Sequence, residues 1–192
     1  METKRKIILA SGSPRRSELM RQWGYEFEVV KPTVDEPSVH LSDGGAGLYW
    51  AESLAYLKAC AVAQNHPDAI VIGADTIVTH SNKLIGKPVD IDDARKILTE
   101  MFAGHNEVIT GLAVLCPAIC KRIIVHVTTT IIMRAMTAIE LEDYLASGVW
   151  QGKAGAYAYQ EGGDKFAQEV VGSESNIVGL PMEKLAQVLE EF

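Results

Sequence analysis

Ala69-Ile70-Val71-Ile72-Gly73-Ala74-Asp75-Thr76-Ile77-Val78 is an apolar run broken by a single acid. Ala69 to Gly73 has the length and content of a buried strand, and Ile77-Val78 continues it past Ala74-Asp75-Thr76. A carboxylate that ends or bends such a strand is costly unless it is hydrogen-bonded, paired or bound to a metal. Asp75 therefore reads either as a turn-bonding residue or as part of a site.

Toward the N-terminus, Lys6 to Ala10 is a second short buried strand. Ser11-Gly12-Ser13 makes a turn, and Ser13-Pro14 places an N-cap before a proline at the first helical position. That helix runs to about Trp23 and stops at Gly24. Glu26 to Lys31 alternates as a strand, and a loop carries Asp35-Glu36-Pro37. The apolar spacing from Leu48 to Gln64 is helical. Toward the C-terminus, Asn82 marks a hairpin or loop, and Lys87-Pro88 ends the extended segment. Asp90, Asp92 and Asp93 open a helix from Ile91 to Phe102. Glu107–Leu115 and Arg122–Met133 read as strands separated by a turn at Pro117. Thr137 with Glu140 three residues on caps a helix from Ala138 to Ser147. Val170 to Gly179 reads as a strand or loop, and a last helix runs from Pro181 to Phe192. Adjacent strands in the middle of the chain imply antiparallel pairs, so the expected class is α/β with a mixed sheet. Tyr49, Trp50, Tyr56 and Trp150 read as packing residues.

The 192 residues suffice for one domain, or for two lobes sharing a cleft, and 47% are hydrophobic, enough for a true core. The net charge of −7 argues against broad nucleic-acid binding. A polyanionic substrate then needs a local cluster of cations or a metal ion. Three cysteines, an odd number, read as reduced thiols. No apolar run reaches the roughly 20 residues of a membrane span, and Ser11 to Pro14 break the short run after the basic start. The expected location is the cytoplasm, with no membrane partner.

Several sites are excluded. Gly86-Lys87 is followed by Pro88 and lacks the leading glycine of a P-loop. Gly44-Gly45-Ala46-Gly47 follows no strand and lacks dinucleotide spacing. Cys116 and Cys120 have no second pair for zinc, and no nucleophile elbow is present. What remains is Leu9-Ala10-Ser11-Gly12-Ser13-Pro14-Arg15-Arg16: a strand, a tight turn and a helix start. Backbone N–H groups, the hydroxyls of Ser11 and Ser13 and the guanidinium groups of Arg15 and Arg16 would cradle phosphate. The alternative is a capped helix with solvated arginines.

This segment resembles the opening signature of the Maf-like nucleoside triphosphate pyrophosphatase family. Leu54-Ala55-Tyr56-Leu57-Lys58-Ala59, Gly73 to Val78, Gly86-Lys87-Pro88, Thr110-Gly111, Lys153 to Tyr157, Gly172-Ser173 and Asn176 to Pro181 are similar to the later motifs, in family order. The resemblance implies a single domain over 1–192 with the Maf/Ham1-like (ITPase-like) fold, two lobes of a mixed sheet around a central cleft. It implies hydrolysis of a nucleoside triphosphate to monophosphate and pyrophosphate, with magnesium or manganese as cofactor. Asp75 becomes general base and metal ligand, Glu36 a second metal ligand, and Lys58 and Lys87 catalytic cations. Lys153 joins them against the phosphates. Ser11, Ser13, Arg15, Arg16, Thr76 and Gln160 become substrate-binding, and Arg15, Thr76 and Gln160 resemble the dTTP/UTP branch. The family's Gly-Ile-Gln-Gly is here Ala158-Tyr159-Gln160-Glu161, which alters the loop around Gln160. The resemblance also suggests a homodimer. Two other readings remain: a non-catalytic nucleotide-binding regulator linked to division arrest, disfavoured by the intact Asp75, Lys58 and Lys87, and a nucleic-acid-binding protein, disfavoured by the acidic balance.

Overall fold

The computed structural model describes residues 5–35, 45–102, 104–159 and 164–192. Its elements in chain order are β1 (Ile7–Ala10), α1 (Pro14–Gln22), β2 (Glu28–Val29), α2 (Gly45–Ala63), β3 (Ile70–His80), β4 (Lys83–Ile85) and α3 (Ile91–Met101). There follow β5 (His105–Cys116), β6 (Lys121–Met133), α4 (Ala138–Ala146), β7 (Ala167–Val171), α5 (Glu174–Val178) and α6 (Met182–Leu189). Among the described residues seven strands form one sheet in the order β2-β1-β3-β5-β6-β7, with β4 also on β3. β1 is parallel to β2 and β3, and every other pair is antiparallel. The sheet is mixed, as the adjacent middle strands require.

Two features position the site. The first is a gap along one edge of β3. β1 ends at Ala10, opposite Gly73, and β4 pairs from Val78 onward. Residues 74–77 lie between the two, paired only to β5 on their other side among the described residues. A crevice where neighbouring strands part is where α/β sheets bind ligands. α1 starts just beyond the end of β1, so its N-terminus opens at this gap.

The second is the close approach of α2. Ala51, Ala55 and Ala59 are fully buried at helical spacing. A methyl group on Gly73 would lie 2.3 Å from the Ala55 carbonyl oxygen, and one on Gly111 2.2 Å from the Ala51 carbonyl oxygen. Only glycine fits at both positions. Asp75 shares the α2-facing side of β3 with Gly73, because side chains alternate along a strand.

The other face of the sheet carries two apolar clusters. Leu9, Met20, Ile72, Leu112, Leu180 and Leu185 pack α1 and α6 onto one half. Leu98, Phe102, Ile131, Tyr144, Trp150 and Phe166 pack α3 and α4 onto the other. These are the two lobes, and the cleft opens between them.

Local signals held at most boundaries. Asp90 caps α3 by accepting from the Asp93 N–H, and the Thr137–Glu140 capping box opens α4. Ser81 and Asn82 both have positive φ and turn β3 into β4. Three expectations need correction. Val170 to Gly179 is no continuous strand or loop: β7 ends at Val171 and α5 follows. Ser173 caps α5 by accepting from the Asn176 N–H, and Gly179 ends it with φ +117. The strand expected over Glu26 to Lys31 pairs only at Glu28–Val29. Tyr49 is 68% exposed and is not a packing residue, whereas Trp150 is buried and donates to the Leu145 carbonyl.

Candidate active site

The gap in the β3 edge is the bottom of a cleft of about 250 Å³. Ser13, Arg15 and Arg16 come to it from the start of α1, Lys58 from α2, and Asp75 and Thr76 from β3. Lys87 reaches it from the loop after β4, and Lys153 from the loop after α4. Eight of the residues singled out from the sequence thus converge from five separate parts of the chain. Glu36 and Gln160 lie outside the described residues.

At the centre, Lys58 Nζ donates to Asp75 Oδ1 at 2.6 Å, with both side chains only 12–13% exposed. The glycine contacts above bring α2 close enough for this pair to form. Among the described charged residues lining the cleft, five are cations (Arg15, Arg16, Lys58, Lys87, Lys153) and one is an acid, Asp75. A chain of net charge −7 has reversed its sign locally, which is what an anionic ligand requires.

The two arginines divide. Arg16 Nε donates to the Gly179 carbonyl at 2.6 Å, Nη1 to Ser11 Oγ at 3.3 Å and Nη2 to Thr76 Oγ1 at 3.2 Å. It clasps α1, β3 and the end of α5 together. Arg15, one residue earlier, is exposed at the mouth. Ser11 is 3% exposed and does not line the cleft; its Oγ accepts from the Ser13 N–H and from Arg16. It supports the turn from beneath. Ser13 makes no side-chain cap on α1, and the residue lines the cleft. Thr76 Oγ1 sits in a closed network with Arg16, Thr110 Oγ1 at 2.9 Å and the Gly179 carbonyl.

The opposite end of the cleft is apolar and was not read from the sequence. Val78, Met101, Val108, Ile131 and Met133 line it, with Tyr157 and Tyr159 to one side. These come from β3, α3, β5, β6 and the loop after α4, so no local spacing announces them. One polar residue, Asn106, sits among them, 1% exposed.

Among the described residues no group of three His, Cys, Asp or Glu side chains could hold a metal by itself. The donor set still suits magnesium or manganese. Such ions bind through one or two carboxylates and complete their shell with substrate phosphates and water. Asp75 is a hard oxygen donor at the cation-lined end. No helix among the described residues is long and apolar enough to cross a membrane.

Comparison with known proteins adds independent findings. The family model described as Maf-like protein matches residues 6–192. A dTTP/UTP pyrophosphatase of Alkaliphilus metalliredigens (strain QYMF) is 43% identical over 187 residues, covering 97% of this chain and 95% of that protein. A dTTP/UTP pyrophosphatase of Vibrio cholerae serotype O1 is 38% identical, covering 97% and 98%. The solved structure of a HAM1 protein from Coxiella burnetii matches with a TM-score of 0.51 at 15% identity, over 98% of this chain and all of that one. That likeness concerns the fold alone.

Proposed function

The chain belongs to the Maf-like protein family, and on that premise we propose that it is a dTTP/UTP pyrophosphatase acting as one domain over residues 1–192. It converts the nucleoside triphosphate to monophosphate and pyrophosphate. The observation that carries this reading is the polarity of the cleft. Cations cluster around one acid at one end, and an apolar chamber lies at the other. A nucleotide has the same polarity, with charge on the phosphates and an aromatic base opposite.

The roles follow from position. Asp75 accepts a proton from the attacking water, since it is the one carboxylate among the described lining residues. Lys58 orients that carboxylate through its 2.6 Å bond and adds positive charge beside the reacting phosphorus. Arg15, Lys87 and Lys153, with the N–H groups at the start of α1, receive the phosphate oxygens. Arg16 and Ser11 hold the cradle's shape from behind. A divalent cation held by Asp75 supplies charge neutralisation at the phosphates when bound. Glu36 is its proposed second ligand, and Gln160 is proposed to contact the base.

Incubating UTP and dTTP with magnesium or manganese and resolving the products tests this reading. Pyrophosphate and monophosphate in equal amounts are expected. Orthophosphate with the diphosphate as the only products would overturn it.

A further inference from the structure

The apolar end of the cleft contains one fixed polar edge. Asn106 on β5 is the direct cross-strand partner of His80 on β3, so their side chains share a face. His80 Nδ1 lies 2.8 Å from Asn106 Oδ1, and Asn106 Nδ2 donates to the Met101 carbonyl at 3.0 Å. Met101 ends α3, where carbonyls lack helical partners. This carbonyl fixes the amide's orientation. A flip would set Oδ1 against another acceptor, and it would face Nδ2 toward the His80 nitrogen that now meets an oxygen. With Oδ1 as acceptor, His80 carries its proton on Nδ1. A carboxamide has two donor and two acceptor positions. The structure uses one of each, leaving one N–H and one lone pair on a residue that lines the cleft.

We propose that Asn106, pinned by the Met101 carbonyl and His80, reads the hydrogen-bonding edge of the pyrimidine and selects uracil and thymine over cytosine. The proposal rests on the function proposed above. Uracil and thymine present an N3–H donor beside the O4 acceptor. Cytosine presents an N3 acceptor beside an amino donor, the same pair reversed. A freely turning amide satisfies either base by flipping and so discriminates neither. A pinned amide satisfies one order and leaves unpaired polar groups against the other, which is the stronger basis for rejection. The apolar residues around it, Val78, Val108, Ile131 and Met133, exclude water from this contact and accept the thymine methyl without distinguishing it strongly from hydrogen.

The reach is consistent. Asp75, at the gap in the β3 edge, and His80 are five residues apart, about 16 Å along the strand, with side chains on opposite faces, so a ligand would pass from the open edge onto the face that carries Val78 and His80. That length accommodates a nucleoside monophosphate with an attacking water at one end and a hydrogen bond at the other. Asp75, Thr76, Val78, Val108 and Asn106 all line the same cleft. Asn106 also stabilises α3 through Met101, so the test must separate reading from support.

Titration calorimetry with UMP, TMP and CMP provides that separation, because binding of the product nucleotides needs no turnover. Wild type is expected to bind UMP and TMP at least about tenfold more tightly than CMP, the scale of one or two satisfied hydrogen bonds. Asn106→Leu, similar in size, should bring the UMP-to-CMP ratio close to one. A ratio is insensitive to the fraction of protein that is folded. In wild type, the Asn106 side-chain amide resonances should shift with UMP and not with CMP, a measurement that stands even if the variant fails to fold. Equal affinity of wild type for UMP and CMP, an unchanged ratio in folded Asn106→Leu, or an amide silent to UMP would each overturn the proposal. Pyrophosphate release from UTP without base discrimination would remove this inference and leave the proposed function standing. Discrimination without turnover would do the reverse.

Discussion

Two ion pairs of this molecule have the same chemistry and opposite surroundings. Arg134 and Glu140 meet at the start of α4 with side chains about one-third exposed. Both Glu140 oxygens accept: Oε1 from Arg134, and Oε2 from Arg134, the Thr137 N–H and the Thr137 hydroxyl. Lys58 and Asp75 meet at the cleft, far more buried, yet among the described residues Asp75 accepts from one side chain only. A carboxylate surrounded by donors has its lone pairs committed to the fold. A buried carboxylate with spare lone pairs, facing a cation-lined cleft, carries a desolvation cost that folding alone does not offset. The number of donors, more than charge or burial, separates the structural acid from the one proposed as general base.

Replacing Asp75 should give the largest effect. Asp75→Asn keeps the volume and can still accept from Lys58, but it loses the charge and the basic lone pairs. Turnover should fall by about two orders of magnitude or more with folding preserved. Steady-state kinetics beside a melting curve checks this. A folded variant with ordinary turnover would place Asp75 with Glu140 among the structural acids. The next effect probes how the pair is built. Gly111→Ala forces a methyl group into the Ala51 carbonyl and must push α2 outward. We expect a loss of about 1–3 kcal/mol in denaturant unfolding, with turnover falling further than in other variants of equal stability because Lys58 recedes from Asp75. A smaller contrast separates the arginines. Arg15→Ala should raise KM by about tenfold while kcat changes little, since it removes the phosphate contact proposed at the mouth. Arg16→Ala should lower both the melting temperature and kcat, because it releases Gly179, Thr76 and Ser11 together. Identical behaviour of the two variants would abolish the distinction.

Legibility followed the range of the forces involved. β3 with its lone acid, the turn into α1, the Asp90 cap and the Thr137–Glu140 box are written within a few adjacent residues, and all stood out. α5 did not. Ile177 and Val178 favour strands, but Asn176 is fully buried and donates to the Val108 carbonyl and Thr129 Oγ1, so contacts with β5 and β6 stabilise the helix. Arg15 and Arg16 are the same residue type side by side, and only the helical turn between them sends one to the mouth and the other into the clasp. The tight seats at Gly73 and Gly111 depend on a helix that lies elsewhere in sequence. The apolar chamber and Asn106 depend on elements brought together by the sheet. The charged end of the cleft lies on recognisable local motifs; the apolar end is a product of topology.

The structural pair offers the smallest and most specific test. Hydrogen bonds from Arg134 come first, then those from Thr137, and they hold the Glu140 carboxyl at about 2, below its ordinary 4.5. A carboxyl whose pKa falls on folding stabilises the native state at pH values above its unfolded pKa. That contribution is lost as pH falls from about 4.5 toward 2, where the folded form also takes up its proton. Glu140→Gln keeps the shape and an acceptor for the Thr137 cap but has no charge to lose. At neutral pH the variant should melt slightly below wild type, the modest effect expected of a solvent-screened pair. As the pH is lowered through that window the two melting temperatures should converge. Added salt at neutral pH should narrow the gap as well, because the pair is exposed. Pyrophosphate release at saturating substrate should be unchanged, since Glu140 does not line the cleft. A gap in melting temperature that stays constant from neutral pH down to about 2 would mean that the side chain's packing and neutral hydrogen bonds carry the cap, and that donor saturation at Glu140 reflects geometry with no charge to protect.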